Sequence, residues 1–284
     1  RAEGRATVQS KGDGVLVVTQ KFDPHTDRVL PILKRRGIPF FRLNTDDLLD
    51  EYVVTTDADL GGVRVRDAWG RSMAFPGEIA AVWYRKPVPP APPAKAEAEE
   101  TRRVVAAETG EFLNALWSFP VARWVNDPAL NERAARKLPQ LHLARRLGLR
   151  VPRTIVTNDP QEARAFVAGL DGAAACKSMK AYGWRDDEGE RFIFARRVEP
   201  GEVAAAAEAV ALCPTLLQEY VEKDHELRVT IIGERCFCCR IDSQSDPEAR
   251  SDWRRADPFA LPHRIVELDG AVERALRAML AAHG

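Results

Sequence analysis

Several absences narrow the reading of this chain. Lys plus Arg and Asp plus Glu each number 42, so there is no net charge to draw it to nucleic acid or an anionic membrane. No apolar run is long enough to span a bilayer, and no basic segment followed by an apolar one opens the chain as a signal peptide would. Cysteine is scarce and odd in number: Cys176, Cys213, Cys236, Cys238 and Cys239, the last three crowded into one apolar run. They read as free thiols buried in strands, which fits a reducing cytoplasm better than a disulfide framework. There is no Gly-rich phosphate loop of the Walker kind and no Ser-His-Asp arrangement, so the P-loop and triad-hydrolase classes fall away. No repeat of fixed period appears.

What is present suits a multi-lobed α/β protein. With 284 residues, 45% of them apolar, the chain can build two or three packed lobes. Residues 1–13 are small and polar and read as a loose tail. Val15 to Thr19 suits a buried strand, Asp27 to Arg36 has helical spacing that stops at Gly37, and Phe40 to Leu43 is a second strand, so the first unit is βαβ. Strands and turns fill 51–82, and Ile79 to Tyr84 is a buried strand running into Arg85. The proline-rich 87–95 is a stiff loop, and 96–117 is a helix. Trp124 to Pro128 reads as a turn and Asn131 to Leu147 as one amphipathic helix. Beyond them, a strand at 151–157 leads into a helix capped near Asn158 or Asp159.

The second half alternates short strands with one Ala-rich helix. Ala173 to Lys180 is a strand, 184–190 a polar turn, Arg191 to Val198 the return strand of a hairpin, and Glu202 to Val210 a helix. Leu216 to Val221, Leu227 to Ile232 and Arg235 to Ile241 are strands, the last two joined at Gly233, and Gly270 to His283 is a closing helix.

The stretch QEYVEKDHELR, from Gln218 to Arg228, carries the chemistry. A strand end followed by a short linker exposes backbone N–H and C=O groups suited to an adenine edge. Glu226 can accept hydrogen bonds from ribose hydroxyls. Arg228, two residues on along a strand, shares its face and offers phosphate a bidentate fork. Lys137 and Lys177 precede the stretch in chain order, and Lys177, within an apolar strand, needs a partner. Arg85 ends a strand where open α/β sheets place their ligands.

Two lysines, an E-Y-V hinge and a carboxylate-x-arginine in that order resemble the ATP-grasp superfamily. The resemblance implies that Lys137 and Lys177 contact phosphates, that the backbone of Glu219, Tyr220 and Val221 holds adenine, that Glu226 binds ribose, and that Arg228 and Arg240 face the phosphates or an acyl phosphate. A narrower resemblance runs through WYRKP (83–87), WVNDP (124–128), LGLRVPRTIVTNDP (147–160) and CRIDSQ…DWR (239–254). These segments are similar to the ligases that mature microviridins and related graspetides.

That resemblance implies an ATP- and magnesium-dependent enzyme acting on a ribosomal precursor peptide made of leader and core. Such an enzyme phosphorylates Asp or Glu side chains and joins them to Ser or Thr hydroxyls or Lys amines, and a homodimer is compatible with it. Arg85, Asp242 and Arg254 then lie on the substrate side. Asp242, Asp252 and His225 are alternative proton acceptors, with nothing to choose among them. The alternatives are a ligase adding a free amino acid to a peptide or protein, and a non-catalytic nucleotide or peptide binder.

The domain plan expected is a pre-ATP-grasp domain over 14–122, a central lobe over 123–221 and a C-terminal lobe over 222–284. The hairpin over 176–198 is expected to cap the phosphates, and it or the helix beside it to sense the leader. The family's late Asp and Glu-x-Asn metal motif does not follow, so the magnesium ligands stay unassigned and the last lobe is expected to be incomplete.

Overall fold

The structure is a computed structural model. It describes every residue except 1–11, 57–61, 120, 122, 181–182, 187–188, 258 and 284, and the side chains of 183–186 and 189–190. The expected N-terminal tail and the tip of the expected leader-sensing hairpin therefore lie mostly outside the described residues. The chain divides into two compact units between Asn131 and Glu132.

The first unit opens with β1 (Gly14–Thr19), α1 (Pro24–Arg35) and β2 (Phe40–Asn44). β1 and β2 pair in parallel, as the βαβ reading requires. Asp23 caps α1 by accepting from the His25 N–H, and Gly37 ends the turn beyond it at φ 66°, a left-handed conformation glycine adopts without steric cost. Then come α2 (Leu48–Glu51), β3 (Tyr52–Thr56), β4 (Val63–Asp67), β5 (Ser72–Phe75), β6 (Ile79–Tyr84), α3 (Glu99–Trp117) and β7 (Trp124–Val125). The parallel sheet runs β2-β1-β6-β7, and β3-β4-β5 form a separate antiparallel sheet. Leu16, Val18, Leu43, Phe75, Ile79, Val82 and Leu116 are among the residues of one shared core. Trp124 and Val125, expected as a turn, form an edge strand on β6. Tyr84, Trp117 and Trp124 meet edge to face there, contacts the local sequence does not announce.

After α4 (Pro128–Ala134), the second unit contains α5 (Lys137–Arg146), β8 (Thr154–Thr157), α6 (Pro160–Ala168), β9 (Ala174–Lys177), β10 (Gly183–Asp186), β11 (Gly189–Phe192), β12 (Arg196–Val198), α7 (Pro200–Ala205), α8 (Ala207–Leu212) and β13 (Thr215–Glu219). It ends in β14 (Glu226–Ile232), β15 (Arg235–Ile241), β16 (His263–Ile265) and α9 (Gly270–His283). One antiparallel sheet has the order β12-β9-β13-β8, and a second has β14-β15-β16. The single helix expected over 131–147 is two. Pro139 has no N–H and fits only the first turn of a helix, so the helix restarts at Lys137. The expected hairpin return also splits: β11 pairs with β10, while β12 pairs with β9. Residues 184–186, expected within a turn, are strand.

Strand alternation sorts each sheet into faces. Ala174, Leu217 and Val198 join Ala163 and Val167 of α6 in a core, so that face of the first sheet is covered. Lys177, Ala175, Leu216, Gln218 and Thr154 share the other face. Cys236 and Cys239 have a two-residue gap, yet their odd separation along β15 puts them on opposite faces, and all five cysteines are free.

Candidate functional site

The site grows from the ends of β9 and β13. Lys177 is half-buried, and its Nζ donates to Gln218 Oε1 at 2.7 Å. Burial pushes its ammonium below the usual lysine value. The neighbouring charges of Lys137, Lys223 and Arg254 push the same way, against Asp252. Lys137 Nζ donates to the Ser178 carbonyl at the end of β9, and burial together with the charge of Arg254 lowers its pKa too. Four cations therefore converge with two acids among them.

Both acids are engaged. Glu226 Oε1 lies 3.0 Å from Lys223 Nζ. Asp252 is buried and accepts from Arg254 Nε at 2.7 Å and Nη2 at 2.5 Å, and from the Ala195 N–H at 3.3 Å. Burial alone would raise the Asp252 carboxyl, but the hydrogen bonds and charge of Arg254 hold it below the usual aspartate value. Lys223 also reaches the Ser251 carbonyl at 3.4 Å, so the loop carrying Asp252 and Arg254 closes on the lysines.

Beside this cluster is a cavity of about 100 Å³, bounded by Lys177, Gln218, Lys223, Ser251, Ala195 and the backbone stretch from Glu219 to Val221. The stretch leaves the sheet in steps. The Glu219 N–H donates to Arg153 O and the Tyr220 N–H to Ala173 O. Val221 is exposed, and among the described residues its N–H has no acceptor. The Glu219 side chain belongs to the helix-covered face, where Oε2 accepts from the Arg153 N–H. The Tyr220 ring lies under the Arg197 guanidinium, 5.3 Å from the centroid.

On the second sheet, Arg228 is exposed and shares a face with Glu226, as its spacing predicts. Arg240 lies across from Leu227, on the reverse face, where its Nε donates to Asp242 at 2.6 Å. That hydrogen bond holds the Asp242 carboxyl below its ordinary value. The structure thus gathers Lys137, Lys177, Glu226, Arg254 and the 219–221 backbone, and sets Arg240 with Asp242 apart from Arg228. Arg85 lies in the other unit, where its Nε is 3.7 Å from buried Asp23 and its Nη2 is 3.1 Å from His25 Nδ1.

No family model and no curated protein matches this chain. Solved structures do. A RiPP-associated ATP-grasp ligase from Chryseobacterium gregarium, in complex with ADP and a leader and core peptide, matches with a TM-score of 0.84 at 23% identity, over 95% of this chain and 82% of that one. The macrocyclase MdnC of Microcystis aeruginosa, bound with its precursor peptide MdnA, matches at 0.82 and 25% identity, over 95% and 84%. MdnB, a macrocyclase of the same organism, matches at 0.75 and 26%, over 96% and 84%. The chain has the ATP-grasp fold.

Sequence reasoning about this ATP-grasp chain passed over Lys223 and Gln218, although both lie inside the stretch it singled out. The signals were available: Lys223 stands three residues before Glu226, and Gln218 is an amide that directly follows the apolar pair Leu216 and Leu217. The donor set suits a polyanion, with four cations beside a free backbone N–H. Among the described residues no three His, Cys, Asp or Glu side chains converge.

Proposed function

We propose that this chain uses ATP, supplied with magnesium, to close macrocycles in a ribosomally made precursor peptide in the cytoplasm. The observation that carries the reading is the convergence of Lys137, Lys177, Lys223 and Arg254 beside the unsatisfied Val221 N–H, in an ATP-grasp fold shared with peptide macrocyclases.

In this reading adenine meets the 219–221 backbone, ribose meets Glu226, and the phosphates meet the lysines and Arg228. A side-chain carboxylate of the peptide takes the terminal phosphoryl group, releasing ADP. A hydroxyl or amine of the same peptide then attacks the acyl carbon, phosphate leaves, and the nucleophile's proton passes to a base. Two partly desolvated ammonium groups favour this chemistry, because a polyanion relieves the repulsion they suffer alone. Arg254 is held rigidly by Asp252. Arg85, and Arg240 with Asp242, are assigned to the peptide. Among the described residues no helix is long and apolar enough to cross a membrane.

The test is to incubate the protein with ATP, magnesium and a leader-bearing peptide rich in Thr/Ser and Glu/Asp. ADP should form, and the peptide mass should fall by one water per ring. A gain of one amino-acid residue identifies a ligase of free amino acids instead. No ADP with any such peptide overturns the enzymatic reading.

A further inference from the structure

The buried amide of Gln218 has a fixed polarity, and that polarity follows from the hydroxyl of Thr154. Thr154 Oγ1 donates its one proton to the Pro152 carbonyl at 2.9 Å. It therefore faces Gln218 only as an acceptor, and Gln218 Nε2 donates to it at 2.9 Å. The amide nitrogen is committed on the β8 side, so the amide oxygen must point along the sheet toward β9. There it receives the Lys177 ammonium at 2.7 Å. Register makes the chain possible: Thr154 lies across from Gln218, and Ala175, two residues before Lys177, lies across from Gln218 on its other side. Gln218 is 4% exposed, so its amide relies mainly on these protein partners.

We infer that Thr154 and Gln218 are positioning residues that aim the Lys177 ammonium at the nucleotide phosphates without neutralising it. A neutral carbonyl is the partner this task requires. It satisfies one of three ammonium donors and leaves the charge and two donors free. A carboxylate at the same place would hold the charge for itself. An amide turned the other way would present N–H groups to a cation and push it off. The Thr154 hydroxyl forbids that turn, because its own proton is spent on Pro152. Lys223, Lys137 and Arg254 repel Lys177 and Asp252 attracts it through space, while the Gln218 oxygen is the hydrogen-bond acceptor that holds the ammonium directly.

This rests on the reading of Lys177 as a phosphate ligand, and the experiment separates the two. Binding of magnesium-ADP to the full protein is measured calorimetrically from about pH 7 to about pH 10, together with thermal unfolding. Lys177→Met tests the underlying reading alone: an unchanged Kd removes Lys177 from the phosphates and the inference with it. If Lys177→Met weakens binding, the positioning claim is tested by three further variants. Thr154→Val keeps the β-branched outline and loses the hydroxyl, and should weaken binding by up to about tenfold, the upper end for one hydrogen bond between neutral groups. Thr154→Ser should restore it. Gln218→Glu should weaken binding near neutral pH and move the alkaline loss of affinity to higher pH, because the carboxylate raises the Lys177 pKa. Variants that unfold at lower temperature yet keep the wild-type Kd and pH profile would show that the pair only fastens β8 to β13. That result overturns the inference.

Discussion

Arg228 and Arg240 project from opposite faces of one three-stranded sheet, because Arg228 lies across from Cys239 and Arg240 across from Leu227. The two arginines, equivalent in a sequence reading, therefore answer to different partners. Arg228 is exposed beside Glu226, whereas Arg240 is tied to Asp242.

Arg228→Ala should then lower peptide-dependent ADP formation by at least about tenfold, the cost of a lost charge-assisted hydrogen bond, with little change in Tm. Arg240→Ala should leave magnesium-ADP affinity unaltered and Tm nearly unchanged, since its partly exposed pair is screened by solvent. Calorimetric binding of both variants checks this. Equal losses of nucleotide affinity would mean that the two faces do not divide the work.

The lysines supply a pH signature of opposite sign in two measurements. Burial lowers the Lys177 and Lys137 pKa values in the folded protein, while the unfolded chain keeps ordinary lysines near 10.5. Between the lowered values and 10.5 the unfolded state holds more protons, so these groups make folding more favourable as pH rises through that window. Phosphate binding needs the ammonium form, so nucleotide affinity should fall across the same window. Thermal melts with and without magnesium-ADP should show the two trends diverging, and Lys177→Met should flatten both.

Much of the fold was legible because its signals are local. The alternation of β1, the stop at Gly37, the Asp159 cap and the turn at Gly233 each act within a few residues. Trp124–Val125 and β10 were misread because a short strand is stabilised by the partner it meets rather than by its own residues. The break before Lys137 is legible in Pro139, which has no N–H to continue a helix from residue 131. In the site, residue types and their order led to Lys137, Lys177 and Glu226 through family likeness. The partners that fix them were out of reach. Gln218 depends on Thr154, 64 positions earlier, and Asp252 holds Arg254 while reaching Ala195, 57 positions away.

The Val221 N–H gives a test specific to the base. Val221→Pro deletes that donor and leaves the lysines in place. Adenine nucleotides should bind about tenfold more weakly, whereas inorganic triphosphate, which lacks a base, should bind as before. A competition assay between ADP and triphosphate reads the difference directly. Equal weakening of both would place adenine elsewhere.

Asp252 provides the remaining prediction. Its carboxylate is buried, receives two side-chain hydrogen bonds and a backbone one from Arg254, and accepts from the Ala195 N–H, so it joins the Arg254 loop to the strand segment before β12. Asp252→Asn keeps the size but removes the charge, and should cost about 1–2 kcal/mol at neutral pH, a buried ion pair discounted because Arg254 is half-exposed. The sign follows from the depressed carboxyl pKa. Its stabilising contribution is complete above the ordinary aspartate value and is lost as pH falls through the folded one. Wild type and variant should therefore differ in denaturant midpoint at pH 7 and converge as the pH falls below the ~4 of a free aspartate. A gap that persists unchanged in acid would mean that the side chain acts through packing, and that its charge does not hold Arg254.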